Sequence, residues 1–348
     1  MEKSNLAMVT PIEAFHAQIA YCVRNDAPVT AAVCRALIEA IDTTTRTGAR
    51  VLGWSGNPTA DAVPLRLVGG VHSLWQRGVA PELAPLFECG EDDVATMRAF
   101  LAQHDAALLP WLDGPPQTNE PGRSAQLMAG LLEIAARHGP RIELLEIGSS
   151  AGLNLMIGRY RINLDGVTTG PADSPVVLTP EWRGPPPAAG PIDIVGARGV
   201  DIAPVDATSQ AGADRLLAYI WADHHVRFER MAGALSMIRA DPPRLDAGDA
   251  ADWVEARLAE PQEAGVTRVL MHSIVWQYIA AEGQARITAA MEAAGARATT
   301  ERPLGWVRVE ADRTVNQHDI TLRSWPGYDQ SVLYGHAHAH GFWVERVA

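Results

Sequence analysis

The chain has 348 residues, 47% of them apolar and 20% charged, with a formal net charge of −12. That composition belongs to a globular protein of one large domain or two ordinary ones, and its acidic balance argues against a broad phosphate-backbone footprint while leaving a local basic groove open; no nucleic-acid partner is expected. Lysine occurs once, at Lys3, which removes a P-loop and any Schiff-base chemistry.

Cys22, Cys34 and Cys89 are far apart in sequence and form no CxxC pair, so neither a disulfide framework nor a cysteine-rich zinc site is expected. No basic-then-apolar leader opens the sequence, and no run approaches ~18 apolar residues. The expectation is a cytoplasmic protein with no membrane contact.

Residues 10 to about 138 read as helical. Phe15, Ile19, Cys22 and Val23 share a helical face. Val33, Leu37 and Ile41 repeat every four residues; Leu67, Val71, Leu74 and Trp75, and then Val94, Met97 and Leu101, follow the same helical spacing. A last helix from Ser124 to Arg137 stops at His138-Gly139-Pro140.

Strand and helix patterns alternate from Arg141 onward. Ile142 to Ile147 predicts a buried strand. The Pro/Gly-rich segment from Gly166 to Pro191 is long for a loop and is placed as a cover over a site. Ile192 to Ile202 contains the next strand, Leu216 to Ile238 a helix, and Leu245 leads into Gly248-Asp249-Ala250. Val266 to Ile274 is a strand and Ala280 to Ala294 a helix. Trp306 to Val309, Asp319 to Trp325 and Ser331 to Val344 complete a strand-rich tail. The expected fold is α/β: a Rossmann-like, doubly wound, mostly parallel sheet over 139–348 with a C-terminal antiparallel hairpin, preceded by an all-helical lid or substrate domain over 1–138.

The strongest candidate site is Leu145-Glu146-Ile147-Gly148-Ser149-Ser150-Ala151-Gly152-Leu153-Asn154-Leu155, where a strand ends in a small-residue turn. Glu146, Gly148, Ser149, Ser150, Gly152 and Asn154 are its cofactor-binding candidates. The glycine spacing is G-x-x-x-G rather than G-x-G-x-x-G. A carboxylate just before the turn repels a pyrophosphate but suits the cationic sulfonium of S-adenosylmethionine. The same residues also spell G-x-S-x-G around Ser150, a nucleophile elbow, which keeps a serine hydrolase open as the alternative; its triad would need Asp249 with His272 or a C-terminal histidine.

Asp201 ends the next strand and can take two ribose hydroxyls, braced by Arg198, or can cap a turn before Pro204. Asp249 can receive an adenine amine or cap the helix that follows. His272, Trp276 and Tyr278 fall at the end of another strand: His272 and Tyr278 are candidates to deprotonate or orient an acceptor and Trp276 to line the pocket; the alternative is core packing for Trp276 and a hydrogen-bonded, half-buried His272. Asn119, Glu120 and Arg123 are placed at the pocket mouth, or Thr118 or Asn119 simply caps a helix. His336, His338 and His340 share one face if on a strand, but with no acidic or cysteine neighbour no metal is assigned.

Gln117-Thr118-Asn119-Glu120 with Arg123, the segment from Leu145 to Leu155 with Arg159-Tyr160, Arg198-Gly199-Val200-Asp201 with Pro204-Val205-Asp206, Gly248-Asp249 and His338-Ala339-His340-Gly341 together resemble the bacterial domain-of-unknown-function 2332 family. The resemblance covers about two-thirds of the chain. It implies a Rossmann-like domain similar to S-adenosylmethionine-dependent methyltransferases and supplies no substrate; the methyltransferase pattern carried over puts Glu146, Gly148 and Gly152 at the methionine end, Asp201 on the ribose and Asp249 on the adenine, and the first functional reading is a methyltransferase acting on a small molecule. Ser150 stands where those enzymes often carry glycine. A non-catalytic domain that binds an adenosyl ligand or a protein partner is the third reading.

Overall fold

The computed structural model describes residues 9–91, 93–312 and 317–347; Lys3 falls outside them. They form two compact units, one of residues 9–118 with 210–228, the other of 119–209 with 229–347. The helices are α1 (Pro11–Arg24), α2 (Pro28–Ala40), α3 (Arg46–Leu52), α4 (Val63–Gln76), α5 (Ala84–Cys89), α6 (Val94–Leu108), α7 (Arg123–His138), α8 (Gln210–Ala218), α9 (His225–Ala240), α10 (Ala250–Ala259) and α11 (Ala281–Gly295). The strands are β1 (Arg141–Ile147), β2 (Arg161–Leu164), β3 (Val167–Thr169), β4 (Val177–Leu178), β5 (Glu181–Arg183), β6 (Asp193–Asp201), β7 (Arg244–Ala247), β8 (Thr267–Ser273), β9 (Leu304–Asp312), β10 (Gln317–Trp325), β11 (Tyr328–Ala337) and β12 (Trp343–Arg346).

The first unit holds α1–α6, α8 and the start of α9. Thr10 and Glu13 close a capping box that starts α1. Of the periodic residues read from the sequence, Phe15, Val33, Leu37, Ile41, Leu67, Val71, Leu74, Met97 and Leu101 converge on one apolar interior that also holds Phe100, whereas Cys22 packs in a separate small cluster and Val23 faces out at 58% exposed. One helix was predicted from Leu216 to Ile238, but two form, α8 and α9. The break has a use: α2 has Ala27 at its N-cap, which offers no side-chain acceptor, and Asp223, between α8 and α9, reaches it. Its carboxylate accepts from Val29 N at 2.8 Å, Thr30 N at 3.0 Å and Thr30 Oγ1 at 2.8 Å. A carboxylate on the free amides of a helix start satisfies both the hydrogen bonds and the dipole.

The second unit is α/β. Its nine-stranded sheet runs β5-β12-β11-β10-β9-β8-β1-β6-β7. β1 pairs in parallel with β6 and β8, and β7 and β9 extend the parallel set outward. β10, β11 and β12 follow antiparallel, so the tail is a meander of antiparallel strands rather than a single hairpin. β8 is buried along its whole length, as a strand covered on both faces must be. Side-chain alternation divides β1: Leu145 and Ile147 join Trp253, Leu270, Ile287 and Trp306 in the core under α10 and α11, so Glu146 points to the opposite face.

Two tail expectations change. The segment 166–191 does not fold over the cleft described below; it supplies the three-stranded sheet β3-β2-β4 with β2, and β5, which pairs with β12. The strand expected from Ser331 to Val344 is broken by a turn at 338–342. Only His336 of the three histidines lies on a strand, bonded through Nδ1 to Asp319 at 2.8 Å, so their shared face does not form. Among the described residues no group of three or more metal-ligating side chains comes together, and no helix is long and apolar enough to cross a membrane.

Candidate functional site

A cleft of about 400 Å³ opens at the carboxyl ends of β1, β6, β7 and β8. Because β1 lies between β6 and β8, this is where the strand order reverses and where open α/β sheets bind ligands. Gly148 follows β1, Asp201 and Ile202 end β6, Gly248 and Asp249 follow β7, and Val275, Tyr278 and Ile279 follow β8; Glu282 and Arg286 come from α11. A larger groove of about 530 Å³ follows the opposite, amino-terminal half of β6 with Arg159, Asp241 and Arg244. It is away from the strand ends that collect the chemistry-bearing residues.

Of the sequence-predicted residues, Gly148, Asp201, Asp249 and Tyr278 line the cleft. Asp201 Oδ2 accepts from Ser150 N at 2.9 Å and Oδ1 from Ala203 N at 2.9 Å. A carboxylate has about four acceptor positions, so two remain for vicinal hydroxyls. Arg198 does not brace it: that guanidinium pairs with Asp246, Nε to Oδ2 at 2.8 Å. Asp249 caps α10 through Oδ1, at 2.8 Å to Ala251 N and 3.1 Å to Asp252 N, which leaves Oδ2 for a ligand. Tyr278 is 65% exposed on the rim.

The lining adds residues that sequence reasoning missed: Ile202, Val275, Ile279, Glu282 and Arg286. Their signal was position, just beyond a strand or in the first turns of the helix after it. Arg286 is held by Glu255, Nη2 to Oε2 at 2.6 Å, and by Asp252, Nη2 to Oδ1 at 2.7 Å. The two helix starts at the cleft already carry carboxylates, Asp249 on α10 and Glu282 in the first turn of α11. The cleft is therefore acidic, with its lining arginine matched by two acids.

The turn after β1 lies beneath a buried polar cluster. Gly148 takes φ +65° and Gly152 φ +78°. A Cβ on Gly148 would stand 2.3 Å from Val275 Cγ2, so this glycine lets the turn after β8 pack onto the turn after β1. Ser150 adopts φ +52° without being glycine, a conformation costing about 1–3 kcal/mol that persists where surroundings enforce it. Its N–H is tied to Asp201, and its carbonyl accepts from Val205 N at 3.1 Å.

Glu146 is 1% exposed and does not line the cleft. Its Oε1 accepts from Asn154 Nδ2 at 3.0 Å, while Oε2 finds no hydrogen-bond partner among the described residues. Burial pushes its carboxyl up to about 8, only partly opposed by the Asn154 bond. At neutral pH it is a neutral acid, so the negative charge read from the sequence is not presented at this turn. Asn154 is a hub that also accepts from Ser124 Oγ at 2.9 Å. Ser149 Oγ donates to Glu146 O at 2.9 Å.

The residues expected at the pocket mouth are interior. Asn119 is 5% exposed, Glu120 1% and Arg123 6%, and none lines the cleft. Neither Thr118 nor Asn119 caps α7, whose N-cap is Gly122. Asn119 Oδ1 instead accepts from Leu153 N at 2.9 Å. That amide opens the short 3-10 turn after Gly152, where a dinucleotide pyrophosphate would otherwise find its donors. Glu120 Oε1 accepts from Gly122 N at 3.0 Å, and Arg123 Nε donates to Ala339 O at 3.0 Å.

His272 is fully buried, on the same face as Leu270, outside the cleft lining. Trp276 stacks on it with ring centres 5.2 Å apart. Its Nδ1 donates to Glu310 Oε1 at 2.6 Å, so its acid partner is Glu310 and not Asp249.

Residues 12–346 match the family described as "uncharacterized protein conserved in bacteria (DUF2332)", and the chain belongs to that family. No curated protein and no solved structure matches it.

Proposed function

We propose that the second unit is a Rossmann-like domain that binds S-adenosylmethionine in the cleft at the strand ends and transfers its methyl group to a small molecule, in a cytoplasmic enzyme. The observation that carries this reading is the charge of the cleft: Asp201, Asp249 and Glu282 line it, and its arginine is already matched by two acids. Such a lining suits a nucleoside bearing a cationic sulfonium and disfavours nucleotide phosphates. The order β7-β6-β1-β8-β9 corresponds to the doubly wound pattern, with the crevice at β1.

Asp201 holds the ribose hydroxyls. Asp249 Oδ2 takes the adenine amine. Val275 and Ile279 supply an apolar wall. Tyr278, on the rim, orients the acceptor. Methyl transfer from sulfonium needs in-line placement and exclusion of water more than a covalent partner, which is the demand that a cleft walled by Val275 and Ile279 is suited to meet. Glu146 serves as an uncharged anchor for Asn154 and the turn.

Thermal unfolding with S-adenosylmethionine, S-adenosylhomocysteine or NAD tests the reading. The adenosyl ligands raise the midpoint and NAD does not. An unchanged midpoint at millimolar S-adenosylhomocysteine overturns it.

A further inference from the structure

We propose that Glu310, on β9, is a positioning residue: with His272 it clamps residues 274–279 into the wall that closes the cleft. The proposal rests on the adenosyl-cleft reading for its ligand and on geometry for its mechanism. Past β8 the chain turns sharply at Ile274, a β-branched residue at φ +53°, where such a side chain rarely sits. Nothing in the turn's own sequence favours that conformation, so its surroundings must enforce it.

Glu310 does so from a neighbouring strand. Its Oε1 accepts from Val275 N at 3.3 Å and from His272 Nδ1, and its Oε2 accepts from Trp276 N at 3.2 Å. Both carboxylate oxygens are thereby spent on the two amides that follow the strained residue. His272, itself immobilised between Trp276 and Trp306, aims the carboxylate. Across the turn Gln284 Nε2 donates to Trp276 O at 2.8 Å and Ile279 O at 3.0 Å. The clamped segment then presents Val275, Tyr278 and Ile279 to the cleft and seats Val275 against Gly148. Neither His272 nor Glu310 lines the cleft, so they act through this segment.

Amide hydrogen exchange across 267–280 and calorimetric titration with S-adenosylhomocysteine, on full-length wild type, Glu310→Ala and Glu310→Gln, test the clamp. In Glu310→Ala the amides of Val275 and Trp276 exchange about tenfold or more faster while Val269 to Met271 keep their protection, because only a local opening is eased. Affinity for S-adenosylhomocysteine falls by about tenfold or more as the preformed wall is lost. Glu310→Gln keeps one acceptor oxygen, so one of the two amides stays protected and most of the affinity returns. If the alanine variant does not fold, the glutamine variant decides through its single exposed amide. Unchanged exchange at Val275 and Trp276 in the folded variants, unchanged affinity in Glu310→Ala, or a loss of protection spread through β8 overturns the clamp. Failure of wild type to bind the titrant sinks the adenosyl reading, and the exchange measurement then judges the clamp by itself.

Discussion

The two units bury their polar groups differently: the helical unit spreads Thr30, Thr47, Arg66 and His72 among separate partners, and the sheet unit gathers many of its own around the end of β1. The helical unit encloses Phe15, Leu37, Leu67, Phe100 and Leu108, and its buried His72 rests on a backbone carbonyl, Nδ1 to Ala218 O at 3.1 Å. The sheet unit buries Asn119, Glu120, Arg123, Ser124, Glu146, Ser149, Asn154 and Ser273 around the end of β1. Polar groups taken out of water cost stability unless each finds a partner. Their concentration beside one turn, next to Ser150 and Ile274 at positive φ, makes that end of the sheet the place where buried polarity and backbone strain coincide in this unit.

The sharpest way to test this contrast is pH. Glu146 binds its proton more tightly in the folded chain, near 8, than unfolded, near 4.5. Its contribution to stability is complete below the unfolded value and is lost as pH rises toward 8, a difference on the order of 4–5 kcal/mol. Glu146→Gln should flatten that alkaline decline in chemical denaturation; an unchanged slope between pH 5 and 8 would show that the carboxyl is not held neutral.

Phe100→Ala should cost about 3–5 kcal/mol, the toll of an emptied apolar site. S-adenosylhomocysteine affinity should stay as in wild type, measured on the folded fraction. A matching loss of affinity would erase the division of labour between the two interiors.

His72 runs in the reverse sense. Burial lowers it to about 4, against 6.5 unfolded. Its neutral form supports the fold above 6.5, and that support is lost as pH falls toward 4, about 3 kcal/mol in all. His72→Gln should remove this acid-side decline and leave the Glu146 limb intact.

The smallest effect belongs to the cleft. Asp201→Asn should weaken S-adenosylhomocysteine by roughly tenfold to thirtyfold, about 1.4–2 kcal/mol, by calorimetry, through loss of a charged acceptor. Equal affinity would remove Asp201 from the ribose.

Much of this was legible in the chain, and the failures share a cause. β1, β8 and α11 came within a residue or two of their observed ends, because apolar runs and periodicity are local signals. Asp201 and Asp249 were found because carboxylates just past strands fall at one end of a parallel sheet. The side to which a residue points was misread: Glu146 alternates with Leu145 and Ile147, which go to the helix-covered face that borders the cleft. Long-range partners left no local trace. Nothing near Ala27 announces Asp223, nothing near His272 announces Glu310, and Arg198 chose Asp246 over the nearer Asp201.

The carboxylate of Asp223 on the start of α2 has a practical corollary. The helical unit is discontinuous along the chain, leaving at 118 and returning for 210–228. A fragment cut at residue 118 would lack both α8 and the acid that finishes its second helix. Anyone dissecting this protein by truncation should graft the distal stretch back through a short linker, or expect a loosely ordered polypeptide whose behaviour says little about the parent.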